Sequence, residues 1–273
     1  MADAPSSYLL SGFDAFLIEL NKVSAGEILP LFRGDHGLDN KAAPGSFDPV
    51  TAADRNAEAA IRKAIAARFP DHGVIGEEYG EDRPDAEFVW VLDPVDGTRA
   101  FISGLPLWTT LIALRHQGRP VLGSIGQPYI GELFIGSQAA GSRLMSRGKS
   151  RPLQVRTGLK LTEATIAATD PHAYMTPPEI AAFQQVRAAA RLTRLGGDGY
   201  LFAMVALGLI DLVIEGGLKA WDIESAIPLI EGAGGFVVDW RGEPVGAHGG
   251  QVVAGGDRAC MDEALTSLRR SAI

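Results

Sequence analysis

The stretch Trp90-Val-Leu-Asp-Pro-Val-Asp-Gly-Thr-Arg-Ala-Phe101 governs how the rest of the chain is read. An apolar run enters Asp93, and Pro94 has no N–H with which to continue a strand ladder. The spacing predicts a turn at this point, with Asp96, Gly97 and Thr98 supplying turn and helix-cap chemistry. Asp93 and Asp96 at a strand end can converge on one point, and the Gly97 and Thr98 N–H groups beside them would be open to an anion. By itself the string also reads as an Asx-turn followed by a plain helix cap.

Outward from it lie more acids. Gly76-Glu77-Glu78 follows a short apolar segment. Adjacent carboxylates there repel unless a cation holds them, or they belong to a solvated acidic turn running on through Glu81 and Asp82. Thr51 is followed three positions later by Asp54, a capping-box spacing. Trp221-Asp222, after Gly216-Gly-Leu-Lys219, opens a helix expected over 223–233, where Asp222 is either a ligand or an N-cap.

The periodicities predict helices over 7–32, behind capping serines, and over 52–69. The first has Leu9, Leu10, Phe13, Phe16, Leu17 and Leu20 at helical spacing. Segment 34–50 reads as a loop or short hairpin. Strands are expected at 73–76, 87–93, 108–115, 120–127 and 132–135, with Gly118 and Arg119 as a hairpin turn. The second half alternates: strands at 164–169, 191–195, 212–215, 236–239 and 252–254, and helices at 177–191, 198–207, 223–233 and 258–270. Strands first and alternation later suggest an N-terminal α+β unit, 1–150, with a mainly antiparallel sheet, and a C-terminal α/β unit, 151–273.

The chain has 273 residues, 46% of them apolar and 21% charged, with a formal net charge of −8. That is an ordinary globular balance, without the basic footprint of a nucleic-acid or anionic-lipid binder. An acidic protein that handles an anion needs local positive charge, and a bound divalent metal would supply it. Cys260 is the single cysteine, which excludes an internal disulfide and a Cys-rich zinc site. The start, MADAPSSYLL, lacks a basic n-region and a long apolar stretch. The run from Leu201 to Ile210 is about half of a spanning helix. The expectation is a cytoplasmic protein.

Each acidic site is ambiguous, but their order is not. Asp48-Pro-Val-Thr-Ala-Ala-Asp54, Gly76-Glu-Glu78, Asp93-Pro-Val-Asp-Gly-Thr98 and Trp221-Asp222, with Glu231-Gly-Ala-Gly-Gly235 behind, resemble the motifs of the inositol monophosphatase superfamily. These are lithium-sensitive, Mg²⁺-dependent phosphatases of small phosphate monoesters. The resemblance runs from about Lys41 to Ala254. It implies a layered α-β-α-β-α sandwich, a homodimer, and two to three Mg²⁺ ions per site. Glu77, Asp93 and the Val95 carbonyl would hold one ion, Asp93, Asp96 and Asp222 a second, and a third, looser ion would share Glu77. Glu78 and Thr98 would orient and deprotonate the attacking water, with Asp54 supporting Thr98. The phosphate would meet the Gly97 and Thr98 amides. A carboxylate set suits Mg²⁺, a hard cation that takes oxygen ligands.

The flanking residues resemble the histidinol-phosphate phosphatase branch: Asp96-Gly-Thr-Arg-Ala-Phe-Ile-Ser-Gly104, Gly126-Gln-Pro128, Arg194-Leu-Gly-Gly-Asp-Gly-Tyr200 and Asp211-Leu-Val-Ile-Glu-Gly-Gly-Leu-Lys219. Asp198 and Glu215 would pair with an ammonium or imidazolium of the substrate, and Asp198 is alternatively a helix N-cap. Arg99 would contact the phosphate or cover the helix start. Trp221-Asp222 is the inositol phosphatase form. The competing expectations are an inositol-phosphate phosphatase, an adenosine or fructose bisphosphate phosphatase, and a non-catalytic metal-dependent binding protein.

Overall fold

The computed structural model describes residues 7–35, 37–41 and 49–273. Asp48 of the 48–54 motif and Ser6 before the first helix lie outside the described residues, as do the side chains of Leu9 and Leu10. Helices α1 (Ser7–Ile28) and α2 (Ala52–Arg68) flank a short ribbon, β1 (Asp39–Asn40) with β2 (Pro49–Val50). Thr51 caps α2 through a reciprocal pair with Asp54, as the spacing predicts.

An eight-stranded sheet follows. It contains β3 (Gly73–Gly76), β4 (Gly80–Asp82), β5 (Phe88–Asp96), β6 (Thr109–His116), β7 (Arg119–Gln127), β8 (Glu132–Ser137), β9 (Gly141–Ser146) and β10 (Lys149–Pro152), with α3 (Thr98–Ile102) after β5. Its order is β10-β9-β8-β7-β6-β5-β3-β4, and only the β3–β5 pair is parallel. The second half runs β11 (Thr165–Ala168), α4 (Pro171–Tyr174), α5 (Pro177–Ala189), β12 (Leu192–Leu195), α6 (Asp198–Ala206), β13 (Leu212–Leu218), α7 (Ala220–Ile223), α8 (Ala226–Gly232), β14 (Phe236–Val238), β15 (Gly250–Gly255) and α9 (Arg258–Leu268). Its mixed five-stranded sheet has the order β12-β11-β13-β15-β14.

Successive side chains of a strand face opposite ways, and both sheets are apolar on both faces. Ile112 and Leu114 of β6 join Trp90, Leu92 and the inner faces of α1 and α2. Leu111, between them and the bulge, turns the other way into a cluster with α6 and α8. Val213 of β13 faces that same cluster, whereas Leu212 and Ile214 face α5 and α9. The result is the α-β-α-β-α sandwich, with the α6–α8 layer shared by both sheets. Each fully buried Leu or Ile contributes roughly 1.5–3 kcal/mol, so truncating Leu17 or Leu229 to Ala would cost about 2–5 kcal/mol.

Several expectations change. The strand that enters Asp93 does not end there: β5 continues to Asp96 through a bulge, because Asp93 pairs with Leu111 and Asp96 with Thr109. Pro94 sits in the bulge, where no ladder N–H is needed, and its carbonyl accepts the Thr110 hydroxyl at 2.8 Å. Glu81 and Asp82 belong to the exposed edge strand β4 rather than to a turn. The first helix stops at Ile28, short of Pro30. The β6–β7 hairpin turns on Gln117 and Gly118, both at positive φ, and Arg119 opens the strand. Strands β9 and β10 occupy the polar stretch after 140, where buried Ser142 is satisfied by donating to the Leu229 carbonyl at 2.7 Å. The helix expected over 223–233 is two helices. Pro228 has no N–H for the Glu224 carbonyl, so the break falls at Glu224 and Ser225.

Candidate active site

The parallel pairing of β3 with β5 sets Gly76 opposite Leu92, and the Glu77 N–H donates to the Leu92 carbonyl at 3.2 Å. That register brings Glu77 beside Asp93. The bulge then carries Asp96 to the same end of the sheet. Across the interface, Trp221 wedges α7 against Ile75, Val89, Val91 and Ala113. Asp222 is not the N-cap of its helix: it is the third residue of α7, and it accepts the Lys219 N–H at 2.7 Å. Carboxylate oxygens of Asp93, Asp96 and Asp222 lie within 4.8 Å of one another, a group among the described residues that could hold a metal ion.

They open into a cavity of about 470 Å³ whose wall also carries Glu77, Val95, Gly97, Thr98, Arg99, Asp198 and Glu215. Burial, then repulsion from Glu77, Asp96 and Asp222, raises the Asp93 carboxyl well above the usual range. Asp96 is raised likewise by burial and by Asp198 and Asp222, against N–H and hydroxyl donors from Gly199 and Thr109. Burial lifts Asp222 to about 7 and also raises Glu77, which Lys41 opposes. One oxygen decides what these groups want. Asp93 Oδ1 is buried with no hydrogen-bond partner, and a crowded set of oxygen donors with an orphaned carboxylate oxygen fits a hard divalent cation.

Thr98 Oγ1 lies 3.4 Å from Asp54 Oδ1 and 3.1 Å from the Val95 carbonyl oxygen. Asp54 is itself held by the Thr51 amide and hydroxyl at 2.8 and 2.6 Å. Gly97, at φ +84°, caps α3 with no side chain. A Cβ there would stand 2.9 Å from Asp198 Oδ2, so the carboxylate of Asp198 lies over the Gly97 backbone. Asp198 is therefore not a cap: Gly197 fills that position, and Asp198 follows it at φ +44°, on the cavity wall. Burial raises Asp198 to about 6 against the pull of Arg99. It raises fully buried Glu215 to about 8, although Thr169 donates its amide and hydroxyl at 2.7 and 2.9 Å.

Glu78 is not on the cavity wall. Its carboxylate accepts Lys41 Nζ at 2.7 Å, and Glu77 accepts the same ammonium at 3.0 Å. Lys41, Thr169, Lys219 and Tyr174 escaped the sequence reading. Lys41 is a lone cation in a loop, with only its closeness to the 48–54 motif as a signal. Tyr174 arrives on the four-residue helix α4, and its ring lies 5.3 Å from the Arg99 guanidinium.

The model of the inositol monophosphatase family matches residues 9–272. The chain belongs to that family. As a member it is a phosphoric monoester hydrolase, and its two-sheet fold is that of the inositol monophosphatases. An inositol monophosphatase from Zymomonas mobilis superposes with a TM-score of 0.84 at 36% identity, covering 97% of this chain and 100% of that one. A histidinol-phosphatase from Chlorobaculum parvum is 38% identical over 71% of this chain and 73% of its own. The chloroplastic bifunctional phosphatase IMPL2 of Arabidopsis thaliana is 36% identical over 97% of this chain and 78% of its own. Family members named for the two substrates match almost equally well, so the choice between them rests on cavity residues. No helix among the described residues is long and apolar enough to cross a membrane.

Proposed function

We propose that the protein is a Mg²⁺-dependent phosphatase that hydrolyses L-histidinol phosphate to L-histidinol and phosphate, a reaction of histidine biosynthesis. The observation that carries the substrate choice is a second pair of carboxylates, Asp198 and Glu215, on the wall of the cavity that holds the Asp93–Asp96–Asp222 cluster. Both carboxyls are raised by burial. A cationic leaving group would offset that penalty, and a neutral polyol would leave it in force.

Glu77, Asp93, the Val95 carbonyl, Asp96 and Asp222 would hold two to three Mg²⁺ ions, which when bound supply positive charge for the phosphate and acidify water. Thr98 would orient the water, with Asp54 keeping its hydroxyl aimed, and Glu78, which pairs with Lys41 off the cavity wall, would have to turn toward the cavity to take the water's proton. The water oxygen attacks phosphorus, the bond from phosphorus to the alcohol oxygen breaks, and the alcohol leaves with a proton. The Gly97 and Thr98 amides and the Arg99 guanidinium receive the phosphate oxygens, while Asp198 and Glu215 grip the amine and the imidazole.

A second reading is an inositol 1-phosphate or broad sugar-phosphate phosphatase, favoured by Trp221-Asp222 and by the 36% identity to the Zymomonas mobilis protein. The same proposal includes a homodimer, a cytoplasmic location, and units 1–150 and 151–273, the first carrying most of the metal ligands.

The test compares kcat/KM for histidinol phosphate, inositol 1-phosphate and glycerol 2-phosphate in wild type and Asp198→Ala. Loss of a buried charge-assisted hydrogen bond should lower histidinol phosphate turnover by about one to two orders of magnitude and spare the neutral polyol phosphates. Equal ratios across the panel would reject the histidinol assignment.

A further inference from the structure

One face of α2 carries Asp54, Glu58 and Arg62, each a helical turn from the next. Asp54 ends at Thr98. Glu58 is fully buried, an unusual state for a carboxylate so close to an acidic cluster. Its oxygens accept the Glu78 N–H at 2.8 Å, the Tyr79 N–H at 3.2 Å and the Arg62 Nε–H at 2.8 Å. The other arm of Arg62 donates to the Gly80 carbonyl. These groups belong to the turn between β3 and β4, the same turn that carries Glu77 and Glu78.

A guanidinium and two amides thus match the charge of Glu58. A buried carboxylate that kept its full charge would repel the site acids, whereas one matched by a guanidinium and two amides can act as a rigid clamp. Gly76 completes the arrangement. A Cβ at that position would stand 2.1 Å from Glu58 Oε1, so the carboxylate reaches the turn only because residue 76 has no side chain. Nothing in the spacing of the sequence flags Glu58, which reads as one more acid on a solvated helix.

We infer that Glu58 is a positioning residue of the active site. Its carboxylate fixes the turn that aims Glu77 at the metal cluster and holds Glu78 in place, and Arg62 fixes Glu58. The catalytic consequence rests on the proposed phosphatase function, but the clamp itself does not.

In Glu58→Gln a single carbonyl oxygen remains for two amides, and the new NH₂ faces donors. Its kcat should fall roughly 10- to 100-fold, the scale of one or two charge-assisted hydrogen bonds, with KM nearly unchanged. The Mg²⁺ concentration for half-maximal activity should rise. Without substrate, calorimetric Mn²⁺ affinity should weaken, and the Glu78 and Tyr79 amides should exchange hydrogen faster. Gly76→Ala displaces the same carboxylate from the opposite side and should reproduce the pattern if Glu58→Gln does not fold. A lower Tm with wild-type Mn²⁺ affinity, Mg²⁺ midpoint and amide exchange in folded protein would overturn the inference and leave Glu58 as a stabilising residue. A wild-type protein without Mg²⁺-dependent turnover would sink the functional reading instead, and the Mn²⁺ and amide-exchange measurements would then decide the role of Glu58.

Discussion

Asp96 accepts the Thr109 hydroxyl, Asp222 an amide, and Glu77 an ammonium, but one oxygen of Asp93 accepts nothing. Asp93 also sits deepest, buried at 2% exposure and surrounded by like charge. Asn at this position is nearly isosteric and removes the charge. Asp93→Asn should therefore raise the Tm of the metal-free protein while abolishing most turnover. Metal-supplied charge stabilisation is worth several kcal/mol, or roughly 10³-fold or more in kcat/KM. Melting in EDTA and turnover at saturating Mg²⁺ check the two halves, and substantial residual activity would remove Asp93 from the centre of the site.

At the scale of elements, the weak point is the seam that holds α7. Buried Glu224 follows α7 and takes both arms of Arg115 from β6, with Nε to Oε2 at 2.6 Å. Removing one partner of such a pair strands the other charge and costs about 3–5 kcal/mol. Arg115→Met should show that loss in urea unfolding and should also weaken metal binding, because Asp222 rides on α7. A second element-scale effect involves the end of α2. His72 stacks on Phe69 at 4.6 Å, and its Nδ1 accepts the Trp90 indole N–H at 3.1 Å. Burial lowers the His72 pKa below 6.5. The unfolded chain thus takes up the proton first, so the contribution of His72 is complete above about pH 6.5 and is lost as pH falls below it. His72→Gln should flatten the fall in Tm between about pH 7.5 and 5.5, and an unchanged slope would clear His72 of that role.

The whole molecule joins two sheets through one helical layer and gathers acids from both at the seam. Asp93 and Asp96 come from the eight-stranded sheet, and Asp222 from the helix after β13. Their raised carboxyls hold protons that the unfolded chain releases near pH 4. The metal-free protein should accordingly lose stability as pH rises from about 4 to about 7, where Asp222 titrates. A divalent cation reverses the penalty, by about 2.7 kcal/mol at a hundredfold excess over Kd. Mg²⁺ should therefore raise Tm more near pH 8 than near pH 5, and EDTA should undo the gain. An equal shift at both pH values would mean that the cation binds elsewhere.

Local chemistry along the chain was enough to read the clustered acids, the Thr51–Asp54 cap, most of the strands and helices, and the family. The caps and periodicities depend on residues a few positions apart and survive without a fold, and the family was legible from four motifs standing in order between Asp48 and Asp222. Other features came only with the tertiary structure. Pro94 looked like a strand terminator because its missing N–H is a local fact, whereas the bulge that tolerates it is made by β6 and Thr110. Asp198 read as a partner for a substrate cation or as a helix cap, and only the fold removed the cap, by giving that position to Gly197 and setting the Asp198 carboxylate over Gly97, a hundred residues away in sequence. Tyr174 and Glu58 carry no signal in spacing, and Lys41 only its closeness to the 48–54 motif, because what each does is set by long-range contact. A charge or a hydrogen bond acts over a few ångströms in space whatever the separation along the chain, and only packing decides which residues come that close.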